Sequence, residues 1–358
     1  MKKVFALMLT LVMLLSLAAC GSSGGTQENP SSDGVSDSGS GSAAADSGDA
    51  PAGDPVVWKW ACNLLEDTDG ARAMVAMFDR WTEETNGEVT VEAYYQGALG
   101  SEADVIQNIQ TGNIQVAQLS YSLLAQFNPA WTVMDLPFIF SGVEHYNRFM
   151  ATDEAKAMLQ SFQADGIWVN YAGVQGFRNI NTTKKLCRTV DDFKGLIIRA
   201  MDNASQLGAV EALGGIGITM PYSDCYNGLN TGVCDGWIPI YTGMSEISAP
   251  EVAPYVTECN MIASAAGIII SQKALDALSP SAKETVMRVY DEMMPGIMET
   301  MYDEDQQYKK TWIEEGKIEV YEVEDLTPYV EAVAPVWEKI ASQFDGVSEM
   351  IDIVNSVR

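Results

Sequence analysis

"GALGSEADVIQNIQTGNIQVAQLS", residues 97–120, is the stretch on which the fold class turns. A glycine-bearing loop leads into a helix expected from Glu102 to Gln110. Gly112 stops that helix as a left-handed C-cap, and a strand follows from Ile114 to Leu119. Upstream, Val56 to Cys62 reads as a first strand with Asn63 just after it. An amphipathic helix is expected over 71–85, its apolar positions Met74, Val75, Phe78 and Trp81 at helical spacing. Asn86-Gly87 ends it, and Val89 to Tyr94 alternates as a strand. Strands alternating with helices predict an α/β fold with largely parallel sheets.

A half-repeat supports two lobes. "IQTGNIQVAQ" (109–118) and "LNTGVCDGWI" (229–238) both read as helix, Thr-Gly, then strand. The copies lie about 120 residues apart, the separation expected of two similarly wound lobes. Toward the C-terminus, Ser279-Pro280 is an N-cap followed by proline at the first helical position. A helix running from there to about Glu315, interrupted and kinked at Pro295-Gly296, is expected to brace both lobes.

The N-terminus sets the compartment. "MKKVFALMLTLVMLLSLAAC" places Lys2 and Lys3 before an apolar run from Val4 to Leu17, the layout of a secretory signal. The run is short for a membrane span. Leu17-Ala18-Ala19-Cys20 resembles a bacterial lipoprotein cleavage box, which would make Cys20 the lipidated first residue after removal of 1–19. An ordinary signal peptide with an incidental cysteine is the alternative. Residues 21–55 hold no Lys, Arg or aromatic residue and read as a disordered Gly/Ser/Asp tether. The expected product is extracytoplasmic and anchored to the membrane by lipid.

The chain is strongly acidic, with 21 Lys and Arg against 49 Asp and Glu, a formal charge of −28. Removing residues 1–19 takes away two lysines and gives 19 − 49 = −30. That balance argues against nucleic acid as a partner and against direct binding to anionic lipid. Besides Cys20 there are Cys62, Cys187, Cys225, Cys234 and Cys259, with no CxxC pair. One or two disulfides and free buried thiols both remain open. The single histidine, His145 in "VEHYNRF", reads as helix surface, so a zinc site or a His-based mechanism has no support. There is no GxSxG elbow, P-loop, GxGxxG after a strand or metal motif. No enzymatic activity and no cofactor are expected.

Arg178 and Arg199 stand out, two of only eight arginines, each beside apolar residues. A guanidinium next to a buried strand needs an anion. Its planar fork fits a carboxylate with two parallel hydrogen bonds. The anion is either one of the chain's own Asp or Glu residues or the acid group of a ligand.

The order and spacing of "GALGSEADVIQNIQTG", "DLPFIF" (135–140), "GFRNI" (176–180), "DDFKGLIIRA" (191–200) and "MPYSDCYNGLNTGVCDG" (220–236) resemble the solute-binding proteins of tripartite ATP-independent periplasmic (TRAP) transporters. The resemblance covers nearly all of residues 56–320. It implies a two-lobed periplasmic-binding-protein-like fold, type II-like, each lobe a mixed, mainly parallel sheet flanked by helices. It also implies capture of a small organic acid between the lobes and delivery to membrane permease subunits.

Carried over by position, Arg199 matches the family arginine that makes the main bidentate contact to the substrate carboxylate, and Arg178 a frequent second contact. Asn63 and Glu102 match residues that line the pocket. Tyr222 stands where an aromatic often packs on the ligand, with an ordinary core role as the alternative. In "VCDGWIPIY" (233–241), Pro239 takes the place of a family asparagine that bonds the ligand, and it has neither amide nor N–H to offer. With Trp237 and Tyr241 nearby, an aromatic or branched monocarboxylate is the expected ligand; Trp237 packing against the hinge is the alternative. The lobes are expected to exchange segments, 56–175 with 265–305 and 176–264 with 306–358. A ligand-sensing lipoprotein ectodomain of the same fold is the main alternative function. An extracellular hydrolase using paired carboxylates and a binding protein of an ATP-driven importer rank below it.

Overall fold

The computed structural model describes residues 53–358. The signal segment, Cys20 and the tether up to residue 52 lie outside the described residues. Ten strands form in chain order: β1 (Val56–Ala61), β2 (Val89–Tyr94), β3 (Val116–Ser120), β4 (Ile167–Trp168), β5 (Gly173–Thr182), β6 (Ile197–Ala200), β7 (Ile216–Thr219), β8 (Gly236–Trp237), β9 (Tyr255–Ser271) and β10 (Glu319–Glu322). The α-helices are α1 (Asp69–Glu84), α2 (Glu102–Thr111), α3 (Val143–Met150), α4 (Asp153–Ser161), α5 (Ala204–Ala212), α6 (Cys225–Thr231), α7 (Tyr241–Glu246), α8 (Gln272–Asp276), α9 (Pro280–Glu314), α10 (Thr327–Gln343) and α11 (Val347–Ser356).

The strands run in the order β2-β1-β3-β9-β5-β8-β6-β7, with β4 and β10 added beside β9. At one flank β2, β1 and β3 are parallel; at the other, β7, β6 and β8 are parallel. The antiparallel strands β9 and β5 join them. The 17 residues of β9 pair with β10 near Tyr255 and with β3 and β4 near Ile270. This is the mixed α/β, periplasmic-binding-protein-like architecture, each flank a βαβ winding with helices packed against it.

Local sequence explains the first winding. Thr68 accepts the Ala71 N–H and starts α1. Met74, Met77, Phe78 and Trp81 form its buried stripe, so Met77 rather than Val75 is the fourth core position. Ser101 and Asp104 close a capping box at the start of α2. Both arms of the half-repeat end as expected: α2 at Gly112 with φ +80°, α6 at Gly232 with φ +76°. In each case the chain turns straight into a strand, β3 or β8.

The α9 helix is continuous over 35 residues and is not interrupted at Pro295. Proline inside a helix costs about 3 kcal/mol. Burial of Met294, Ile297, Met298 and Met301 around it offsets that cost, because each buried side chain of this size contributes roughly 1.5–3 kcal/mol. The helix packs on α1, on β5 and on α7, so it touches both flanks. His145, expected on a helix surface, is buried instead. Its Nδ1 accepts the Ser141 N–H and its Nε2 lies 2.8 Å from the Val354 carbonyl, because α11 folds over α3. All five described cysteines are free and buried.

One contact ties α9 to the centre. Asp305, fully buried, accepts the Thr242 N–H at 2.7 Å at the start of α7. A Cβ at Gly176 in β5 would lie 2.6 Å from its Oδ2. Gly176→Ala should therefore lower stability by roughly 1–3 kcal/mol through overpacking. Urea unfolding checks this, as a fall in midpoint at constant slope.

Candidate ligand-binding site

Register shifts between Val174 and Phe177 and between Arg178 and Ile180 break the strict alternation of β5 and divide the molecule's interior. Gln175 and Arg178 face one cavity, while Val174 and Phe177 face a larger, open groove of about 930 Å³ on the other side. The smaller cavity, about 60 Å³ accessible to water, is the one that holds buried arginines. Asn63, Glu102, Arg178, Arg199, Tyr222, Trp237 and Pro239 all line it, so every pocket position expected from sequence is brought together. Tyr241 is absent from its lining and is buried in a separate core cluster.

Each side chain reaches the cavity for a local reason. Asn63 follows β1, and Glu102 begins α2 with Oε1 accepting the Ser120 N–H. Arg199 is the third residue of β6, on the face opposite the core residue Ile198. Its Nε and Nη2 both donate to the Met220 carbonyl, at 3.0 and 2.8 Å. That holds one edge of the guanidinium and leaves the Nη1/Nη2 edge as a fork. Trp237 donates its indole N–H to Asn181 Oδ1 at 2.6 Å, and its ring lies 6.1 Å from that of Tyr222. Pro239 accepts the Asn179 N–H through its carbonyl, which leaves its ring to the cavity wall.

Neither arginine forms an ion pair among the described residues. Arg178 Nη1 donates to the Ile238 carbonyl and Nη2 to Ser120 Oγ at 3.0 Å. Its Nε is buried with no hydrogen-bond partner among the described residues. From Ser120 a chain of hydroxyls continues: Ser120 Oγ donates to Ser122 Oγ, and Ser122 Oγ to Asp135 Oδ1 at 2.7 Å. Gln206 and Asn203 of the α5 start also donate to Asp135. Burial pulls the Arg178 guanidinium down from its ordinary range, against the pull of the Asp135 charge. Arg178 is balanced by an internal carboxylate through two hydroxyls rather than in direct contact.

Residues 65–343 match the model for the bacterial extracellular solute-binding proteins, family 7. The chain belongs to this family. Among its relatives, a solute-binding protein of Sulfitobacter sp. (strain NAS-14.1) is 27% identical over 277 residues, 76% of this chain and 83% of that one. The C4-dicarboxylate-binding periplasmic protein DctP of Rhodobacter capsulatus is 25% identical over 297 residues, 81% of this chain and 88% of that one. A crystal structure of a TRAP periplasmic solute-binding protein from Sulfitobacter sp. NAS-14.1 with bound β-D-galacturonate superimposes with a TM-score of 0.80. It is 25% identical and is covered in full by 84% of this chain. The chain is thus a TRAP-type solute-binding protein, of a transport family rather than an enzyme family.

The cavity lining holds two acids beside its two arginines, Glu102 and Glu246. Glu102 is pushed up by burial, against the Ser120 N–H and the charges of Arg199 and Arg178. Glu246, on the last turn of α7, is pushed up to about 7 by burial, with the Tyr222 hydroxyl opposing. Sequence reading missed Glu246, Gln118, Ser120, Gln175 and the supporting Asp135. Gln118 and Gln175 carry a usable signal, a polar side chain inside a fully buried strand. Glu246 carries none. Asp135→Ala would leave the Ser122, Gln206 and Asn203 donors without their acceptor. It should cost about 2–5 kcal/mol, and the urea midpoint reads that loss directly.

Proposed function

We infer that this chain is the extracytoplasmic solute receptor of a TRAP transporter, capturing a small organic acid by its carboxylate and handing it to the permease subunits. The observation that carries this is the pair of buried arginines in one cavity, in no ion pair among the described residues, each with N–H groups left to donate. Charge-assisted hydrogen bonds contribute about 1.5–3 kcal/mol each. The Arg199 fork and the remaining N–H groups of Arg178, with apolar contacts, support binding near micromolar, about −8 kcal/mol, after ordering costs.

The rest of the ligand meets Asn63, Glu102, Gln118, Ser120 and Gln175 on one side and Trp237, Pro239 and Ile240 on the other. That polar wall favours a hydroxylated monocarboxylate over the aromatic or branched acid expected from Pro239 and Trp237. The galacturonate held by the Sulfitobacter protein is in keeping with this. The segments 56–175 with 265–305 and 176–264 with 306–358 are read as the two closing halves. Opening between them runs through the space beside the cavity lined by Ser101, Leu123, Asp202, Thr219 and Pro221.

Titration calorimetry with D-galacturonate, D-gluconate and phenylacetate tests the reading. The sugar acids should bind and phenylacetate should not; binding by none of a wider panel of organic acids would refute it. Arg199→Ala should lose at least about a hundredfold in affinity, two lost charge-assisted bonds. Arg199→Lys should fare little better, since a point charge lacks the fork.

Lipid attachment at Cys20 follows from Leu17-Ala18-Ala19-Cys20 and fits a receptor held close to its permease. Cys20→Ser should move the protein from the membrane fraction to the soluble one on cell fractionation. A wild type already found in the soluble fraction would leave an ordinary cleaved signal as the better account, and membrane association unchanged in Cys20→Ser would refute lipid attachment at this residue.

A further inference from the structure

The cavity holds a group that the arginine–carboxylate reading does not use. Glu246 reaches it from the end of α7, with no basic partner among the described residues. The Tyr222 hydroxyl lies 2.8 Å from the Gly243 carbonyl and 2.5 Å from Glu246 Oε2. A phenol has one proton and both neighbours are acceptors. The single phenol proton serves the Glu246 carboxylate when that group is ionised, and it serves Gly243 when Glu246 carries its own proton and donates to the phenol oxygen, the form that satisfies both acceptors.

We propose that Glu246 enters the cavity as a neutral carboxyl and that its proton sets which ligand charge the site accepts, selecting monoanions. With Glu246 neutral, the lining carries two arginines against one carboxylate, Glu102, which suits a single negative charge. Asp135 sits one layer behind and is held by three side-chain donors. With Glu246 ionised, the lining is even and an incoming anion meets a second fixed negative charge.

The surroundings hold the proton in place. Tyr222 faces Glu246 from the turn before α6, Glu102 from α2, and Glu304, Asp305 and Tyr308 from α9. Cys62 lies on the β1 side. Apart from the two arginines of the cavity, every titratable group among these is an acid, a phenol or a thiol. Burial first, then the charges of Glu102, Glu304 and Asp305, push the carboxyl up to about 7 against the Tyr222 hydrogen bond, well above the ordinary glutamate range.

The sign follows. The neutral form is the binding-competent one for a monoanion, so affinity is full below this range and is lost as pH rises through it. Bound anion further disfavours ionisation, so binding near neutrality takes up a proton. Apparent affinity scales with the competent fraction, which falls roughly thirtyfold between about pH 6.0 and 8.5 for a group titrating near 7.

This inference rests on the carboxylate-capture reading, and its test separates the two. Calorimetry with D-galacturonate at about pH 6.0 and 8.5, in phosphate and in Tris, reads affinity and proton uptake. Wild type should weaken at least about tenfold at the higher pH and take up protons; Glu246→Gln should flatten both. An equal pH dependence in Glu246→Gln, or tighter binding at the higher pH, overturns the proposal. Infrared difference spectra of the ligand-free protein between the same pH values form the second arm. A protonated-carboxyl band lost on raising pH in wild type and reduced in Glu246→Gln, with any remainder removed by Asp305→Asn, supports the proposal; an unchanged band in Glu246→Gln, or none in wild type, overturns it. Should galacturonate fail to bind at either pH, the capture reading suffers for this ligand and the infrared arm still decides the state of Glu246.

Discussion

A full positive charge buried on a strand shared by both halves of the sheet is the constraint around which the centre of this protein is arranged. Arg178 sits in β5, almost out of contact with water. Burying an unpaired ion costs several kcal/mol even after relaxation. The protein meets that cost at a distance, through Ser120 and Ser122 to Asp135, and through Gln206 and Asn203 behind it. These residues come from the end of β3, the two turns that follow it and the start of α5. The network therefore draws segments far apart in sequence to one point, and it leaves the Arg178 Nε without an acceptor among the described residues. A direct ion pair would have satisfied the charge and closed the site to any other anion.

The same strand transmits force. Gly176, between Gln175 and Phe177, brings β5 against Asp305 of α9. Asp305 in turn holds the first turn of α7, the helix whose later residues, Gly243 and Glu246, form part of the cavity wall. A long helix packed on both flanks is thus coupled through one buried carboxylate to the group facing the ligand space. Domain closure in two-lobed proteins works through such packed contacts, because interfaces of this kind have discrete arrangements rather than continuous ones. That Asp305 is pushed up to about 7 by burial means this joint, like Glu246, is sensitive to the proton.

Local and global electrostatics oppose each other here. At −28 the chain as a whole repels anions, yet two of its eight arginines meet in one small cavity. Salt screens the surface charges beyond about 8–10 Å, while buried groups are screened far less. The cavity therefore presents its own sign, decided by Arg178, Arg199, Glu102 and Glu246 and not by the average. In such a site a single proton carries more weight than dozens of exposed carboxylates.

Much of this was legible in the chain itself. The alternation of β1, α1, β2, α2 and β3 and the paired Thr-Gly stops at Gly112 and Gly232 are local, set by backbone sterics and hydrophobic period. The candidate pocket residues were legible for another reason, their place in segments with a recognisable order. His145 and Pro295 read wrongly because tertiary packing overrode local preference: α11 covers one, and the buried face of α9 carries helix through the other. Glu246 and Asp135 became visible only in three dimensions, while Gln118 and Gln175 carried a signal, a polar side chain within an apolar strand, that the reading passed over. What sequence determined was which segments wind and where arginines stand beside apolar strands, since those depend on neighbours along the chain. What tertiary structure decided was which charges are left without a partner, because burial and distance between segments remote in sequence set the cost of each ion.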